Sequence, residues 1–219
     1  MNAMLARPRA TNTPDWIAGV LRQAILQGEF KSGQPLPQDE IAAQFGVSKI
    51  PIREALLQLR AEGLVTFYPN RGAVVSALSS DEVNEIYAMR IALETLALRC
   101  AIPRFDKAGV IRAESLITIM DAEHNALKWS ELNWEFHAAL YSPCNMPRLL
   151  DAIRALHANV QRYVVNYLTS TDYHNEAQRQ HRVILKAVQH GNADAAAEQL
   201  AKHLAQASTK MVAKLSAKP

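Results

Sequence analysis

From Ser79 to about residue 214, apolar residues return every three or four positions, and no stretch alternates with the period of two that a strand needs. A chain patterned this way must bury one stripe on each of several consecutive helices, which commits the larger part of it to a helical bundle. Ser79-x-x-Glu82 has the form of a capping box and marks where the bundle starts. The spacing predicts helices over 80–102, 106–126, 129–141, 146–170, 174–190 and 192–214. The breaks fall at Pro103, near Lys128, at Ser142-Pro143, near Thr171 and at Gly191-Asn192.

Before Ser79 the grammar differs. Residues 1–13 read as a flexible leader, and Pro14 opens a helix whose apolar positions are Ile17, Val20, Leu21, Ala24 and Ile25. Gly28 stops it, and the Gly- and Pro-bearing stretch Glu29 to Pro37 reads as a loop. A short helix from Asp39 to Phe45 and a turn at Gly46 come next. Ser48 is suited to cap a third helix, with Pro51 in its first turn, where a missing N–H costs little. That helix ends near Gly63. Leu64 to Tyr68, the turn Pro69-Asn70-Arg71-Gly72, and Ala73 to Ser76 then form a β-hairpin by composition. Three helices closed by a hairpin make a winged helix-turn-helix. The fold class is therefore mainly α: a winged helix-turn-helix over 14–78 and an all-helical domain over 79–215.

The 219 residues suffice for two such domains, and 49% hydrophobic with 21% charged is ordinary for a globular chain. A net charge of +3 and a pI near 8.9 permit nucleic-acid binding without demanding it. Cys100 and Cys144 have no disulfide-framework spacing, no apolar run approaches the ~18 residues of a membrane span, and the first residues lack a signal-peptide core. The expected location is the cytoplasm, with no membrane partner.

The second helix of a helix-turn-helix lies in the major groove with its first residues at the base edges. Here those residues are Ser48, Lys49, Ile50, Pro51 and Arg53. Lys49 is a point charge for phosphate or guanine, and Arg53 has the planar fork for bidentate contact. Asn70, Arg71 and Gly72 form a wing tip whose arginine can reach backbone or minor groove. The pattern by itself also suits a protein-interaction module, with Arg53 and Glu54 as solvated surface. Residues 14–76 resemble the N-terminal domain of the GntR family of bacterial transcription regulators, carried by GVSKIPIREALLQLRAEGLV and the wing NRGAVV. That resemblance implies double-stranded operator DNA as the partner, contacted by Lys49, Arg53 and the wing tip. The sequence departs from the family at Lys49, where arginine is common, and at Asp39, where some members carry a DNA-contacting arginine.

In the helical half, Asn133 and His137 are one turn apart on one helix and can enter one cavity together. His181 shares a face with Ile184, Leu185 and Val188, and His203 with Leu200, Leu204, Ala207 and Met211. Burying three imidazoles is costly without partners. Either a divalent metal gathers them, or each is hydrogen-bonded separately. His157 also lies on an apolar face, so face alone does not single out a ligand; His124, His174 and His190 sit near helix ends, as surface residues would. Arg90 lies on the inward stripe of Val83, Ile86, Tyr87, Leu93 and Ala97. A buried arginine needs a partner, and Glu94 one turn on is the candidate within the helix itself.

Residues 80–214 resemble the all-helical FCD ligand-binding domain of the FadR subfamily of GntR regulators, through YAMRIALETLA, LNWEFHAALY, NMPRLL, the histidine of RQHRVILKAV, and HGNADAAAEQLAKHL. The resemblance implies a divalent metal (zinc, nickel or manganese) on Asn133, His137, His181 and His203, and a small anionic metabolite as effector, held in part by Arg90. It thereby implies a second partner for Arg90, an effector carboxylate, which can hold together with Glu94, and it implies core or pocket lining for His157. Asn133 replaces the commoner aspartate, which leaves the site more cationic. The whole then reads as a homodimeric repressor or other one-component regulator on a palindromic operator. The metal itself as signal is an alternative, and a metal-dependent hydrolase a more distant one. No general base or nucleophile accompanies the histidines, no HExxH motif is present, and no Glu-x-x-His pair recurs on two helices. No enzymatic activity is expected.

Overall fold

The structure is a computed structural model that describes residues 13–167 and 171–217. It divides between Leu78 and Ser79 into two compact units.

The first unit runs α1 (Thr13–Leu26), α2 (Gln38–Phe45), α3 (Lys49–Ala61), β1 (Val65–Tyr68) and β2 (Gly72–Val75). Residues 1–12 of the expected leader lie outside the described residues, and Thr13 already belongs to α1. Gly46, in the left-handed conformation, ends α2 (φ 63°). The Gly46 N–H bonds Ala43 O at 3.3 Å and the Val47 N–H bonds Ala42 O at 3.1 Å, a Schellman closure that turns the chain directly into α3. The inner stripe of α3, Ile52, Leu56 and Leu59, is fully buried and meets Ile17, Leu21 and Ile25 in the core shared with α1. Over this core Arg22 clamps Glu62 in a two-pronged ion pair, Nε to Oε2 at 2.6 Å and Nη2 to Oε1 at 2.5 Å. The pair is about one-third exposed, so it fixes orientation more than it adds stability.

The strands are antiparallel, with Val65 opposite Val75 and Tyr68 opposite Gly72. Three residues therefore make the tip, and positive φ at Asn70 (64°) and Gly72 (68°) turns the chain back. A Cβ on Gly72 would meet nothing within 4 Å, so glycine is there for its backbone conformation and not for lack of space. The loop after α1 covers the free edge of β2, with the Leu36 N–H bonded to Ala73 O at 2.8 Å.

The second unit is all helical: α4 (Ser80–Ala101), α5 (Lys107–Ala122), α6 (Ala126–Tyr141), α7 (Pro147–Tyr167), α8 (Thr171–Gln189) and α9 (Ala193–Ser216). Short 3-10 turns follow α4 at Ile102–Arg104 and α6 at Ser142–Cys144. Ser79 and Glu82 close the capping box reciprocally. The break expected near Lys128 lies instead at 123–125. Asn125 Oδ1 accepts the Lys128 N–H at 2.9 Å, which caps α6 and draws Lys128 into its first turn. The break expected near Thr171 borders residues 168–170, which lie outside the described residues, and α8 begins at Thr171. Helix α4 packs against α6, α7 and α9, and α8 packs between α5 and α9, so α4, α6, α8 and α9 send side chains into one interior. Among the described residues no helix is long and apolar enough to cross a membrane.

Candidate metal centre and nucleic-acid surface

Four buried histidines occupy the interior of the second unit, and three of them converge. One ring nitrogen from each of His137 on α6, His181 on α8 and His203 on α9 lies within 4.8 Å of the other two. His157 on α7 is buried too, but it packs against Trp134 at 4.5 Å and stands outside the cluster. His124 and His190 are exposed as expected. His174 departs from expectation: it is partly buried and lies parallel to Trp129 at 4.1 Å.

Hydrogen bonds fix the tautomers. The Tyr141 hydroxyl donates to Glu94 Oε2 at 2.5 Å, so toward His137 Nδ1, 3.1 Å away, its oxygen can only accept. Gln178 spends its amide hydrogens on Ile117 O at 2.9 Å and Asp121 Oδ1 at 2.8 Å, and turns Oε1 to His181 Nδ1 at 2.9 Å. Gln180 donates to Glu176 and to Gln206, and offers Oε1 to His203 Nδ1 at 2.7 Å. Each ring thus carries its proton on Nδ1 and keeps the Nε2 lone pair, which in His137 and His181 is buried.

The interior side of the cluster is unsatisfied. Nε2 of His137 and of His181, together with Asn133 Oδ1, are buried polar atoms with no hydrogen-bond partner. Asn133 lies one helical turn before His137, and orphaned acceptors of this kind are costly in a bundle core unless a cation completes them. An amide oxygen and imidazole nitrogens with their outer nitrogens already held are the donor set a divalent metal takes. Nitrogens ~2 Å from one ion can be no more than ~4 Å apart, so a rotamer-scale contraction would close the cluster.

The electrostatics agree. Burial, and then the proximity of His181, holds His137 well below the ordinary imidazole range, and burial followed by His203 does the same for His181. Burial and the neighbouring Arg90 bring His203 to about 4 and push His157 well down. All four rings are neutral near pH 7, as ligation requires.

Arg90 is buried on α4 and donates from Nε to Glu94 Oε1 at 2.7 Å, while its guanidinium lies over the Tyr87 ring at 4.8 Å from the centroid. Burial alone would lower its pKa, but Glu94, together with the neighbouring Tyr87 and Tyr141, outweighs that and the net shift is upward. Of the two partners the sequence leaves open for Arg90, Glu94 is present. Gln178, Gln180 and Tyr141 had no place in the sequence reading, although the i−3 and i+4 spacing of Gln178 and Tyr141 to their histidines was a usable signal.

In the first unit, Ser48, Lys49, Arg53, Asn70, Arg71 and Gly72 are all exposed, and Pro51 is half-buried. Ser48 occupies the N-cap of α3 without a side-chain cap bond, and the first turn contains no acidic residue. The helix therefore presents open N–H groups and an uncompensated positive end. Lys49, Arg71 and Gly72 line one surface groove of about 380 Å³ together with Asp39. Ile50, also among the residues expected at the base edges, is 69% exposed at the start of the same helix, an apolar group suited to a thymine methyl.

Within the groove Lys49 is already paired. Lys49 Nζ pairs with Asp39 Oδ1 at 2.5 Å, both side chains being mostly exposed. A phosphate must displace that carboxylate to use Lys49. Asp39→Asn is accordingly expected to tighten binding to any duplex severalfold and to steepen the dependence of log K on log salt by about one phosphate contact. A titration series at several salt concentrations checks it, and an unchanged slope would mean that Lys49 faces away from DNA.

Comparison with known proteins places this geometry. Residues 15–75 match the family described as bacterial regulatory proteins, gntR family, and residues 85–206 match the FCD domain. The chain is 31% identical over 189 residues to the uncharacterized HTH-type transcriptional regulator YdhC of Bacillus subtilis (strain 168), covering 84% of each. It is 29% identical over 195 residues to the HTH-type transcriptional repressor RspR of Escherichia coli (strain K12), covering 86% of this chain and 84% of that one. A GntR family regulator of known structure from Pseudomonas syringae pv. tomato str. DC3000 aligns with a TM-score of 0.57 and 30% identity, over 98% of this chain and 92% of the other. With a regulator's reading head ahead of an FCD domain, the chain belongs to the GntR family of bacterial transcription regulators and is not an enzyme.

Proposed function

We propose that the protein is a one-component regulator in which the first unit, 14–78, binds a palindromic operator as half of a homodimer. The second unit, 79–215, holds a divalent metal and a small anionic metabolite. The carrying observation is the convergence of His137, His181 and His203 with the Nε2 atoms of His137 and His181 orphaned; Asn133 Oδ1, one turn before His137, is orphaned as well. When bound, the metal supplies a fixed positive charge with open positions, on which a carboxylate can be received. Asn133 ligates without contributing charge, and Arg90 adds a positive field from α4, so the interior favours an anion. The donor set accepts zinc, nickel or manganese.

Ser48, Lys49, Pro51 and Arg53 form the major-groove edge, and Asn70, Arg71 and Gly72 the wing tip. Two-fold protein symmetry is what a palindromic site requires. Met89, Ala92 and Leu96 are exposed at helical spacing on α4, a stripe suited to a second copy. DNA as the ligand puts the protein in the cytoplasm. The name of RspR supports repression. The effector regulates only if it binds one dimer geometry better than the other, because equal affinity shifts nothing.

A mobility-shift titration on the gene's own upstream region, with random duplex as competitor, tests the reading. Preference for the upstream fragment at physiological salt is expected, and equal binding to random duplex overturns it. Chelation of the metal without loss of binding separates effector control from metal sensing.

A further inference from the structure

The three imidazoles differ in what stands behind them. His181 and His203 lean on the neutral amides of Gln178 and Gln180. His137 leans on a chain that ends in charge. Its Nδ1 donates to the Tyr141 hydroxyl (3.1 Å), the hydroxyl donates to Glu94 Oε2 (2.5 Å), and Glu94 Oε1 accepts from Arg90 Nε (2.7 Å). All four side chains are buried, at 5% exposure or less. The arrangement comes from two pairs at i, i+4 facing each other, Arg90 and Glu94 on α4 and His137 and Tyr141 on α6. One helical turn on each side places donor against acceptor.

We propose that Glu94 and Tyr141 are positioning residues for the metal centre: they lock His137 in the Nδ1–H tautomer, raise the basicity of its Nε2, and couple the centre to Arg90. This inference rests on the metal reading above. A carboxylate acting through an intervening hydroxyl does for His137 what a carboxylate bonded directly to a metal-ligating imidazole does elsewhere. Glu94 serves both ends, so a change at Arg90 alters the carboxylate's hold on Tyr141, and through it the ligand. The coupling is reciprocal, since any group whose binding at Arg90 affects metal affinity is affected by the metal equally.

Zinc binding to the full-length metal-free protein, measured by competition with a chromophoric chelator, tests this through Tyr141→Phe. The variant keeps the ring and removes only the hydroxyl. Zinc affinity is expected to fall roughly 10- to 100-fold, and the slowly exchanging His137 Nδ1–H resonance of the metal-free protein is expected to disappear. Glu94→Gln should weaken zinc binding in the same direction, an independent check should either variant fold poorly. Combining Arg90→Gln with Tyr141→Phe should depart from the product of the single effects by at least about twofold. If Tyr141→Phe melts lower than wild type but binds zinc equally well, the residue is only structural and the relay is overturned. Unaltered zinc affinity with an unaltered Nδ1–H resonance overturns it too. If the wild-type protein binds no zinc at all, the metal reading itself fails, a result distinct from failure of the relay.

Discussion

Zinc added to the metal-free protein is expected to raise the thermal midpoint of the helical domain by roughly 10 °C at a hundredfold excess over Kd, and His181→Ala is expected to erase that increment. A ligand that binds only the folded state at that excess stabilises it by about 2.7 kcal/mol, and a domain of this size moves by a few degrees per kcal/mol. His181 also packs against Phe136 at 4.6 Å, so its removal lowers the metal-free midpoint as well. The diagnostic quantity is therefore the difference between midpoints with and without zinc in the same variant, from which the packing loss cancels. If the wild-type protein shows no increment, the three imidazoles are separate hydrogen-bonded residues and no metal joins them.

The same histidines give the metal-free protein a pH signature. Each is held below its unfolded value near 6.5, so the unfolded chain binds more protons wherever the pH lies between the folded and unfolded values. Stability is then fully present above pH ~6.5 and falls as the pH drops toward the folded values, about 4 for His203. Each ring contributes roughly a kcal/mol per pH unit across that window. Zinc deepens the dependence, because protons and metal compete for the same lone pairs.

How much of this was legible in the residues follows from the range of the interactions. Features settled within one or two turns could be read directly: the Ser79–Glu82 capping box, the turn at Gly46, the buried stripe Ile17, Leu21 and Ile25, and the hairpin about Asn70 and Gly72. The break expected near Lys128 falls earlier because the signal that acts is Asn125, three residues before it, as a cap. Faces of helices told which histidines turn inward but not which converge. His157 has a face as apolar as that of His181, and only packing sets it beside Trp134 and apart from the cluster. Partners distant in sequence were out of reach. Gln180 supports His203 from 23 residues away, Tyr141 finds Glu94 across 47, and Asp39 meets Lys49 only because Gly46 folds α2 back beside α3.

Arg53→Ala is expected to reduce affinity for the operator roughly 10- to 100-fold while reducing affinity for random duplex far less, so that the specificity ratio collapses. Arg53 is exposed in the first half of α3, and among the described residues no ion pair engages it, so its fork is available to a guanine edge. A bidentate contact of that kind is worth ~1–3 kcal/mol of discrimination against the wrong base, which converts to the stated range. Lys49→Ala should behave differently. A lost phosphate contact weakens specific and random duplexes alike and lowers the salt slope by about one. The two variants, titrated on both duplexes at several salt concentrations, therefore separate reading from gripping on adjacent turns of one helix. Equal losses on both duplexes for Arg53→Ala would make it a phosphate contact and move base readout to Ile50 or the wing, and no loss on either would mean that α3 does not enter the groove.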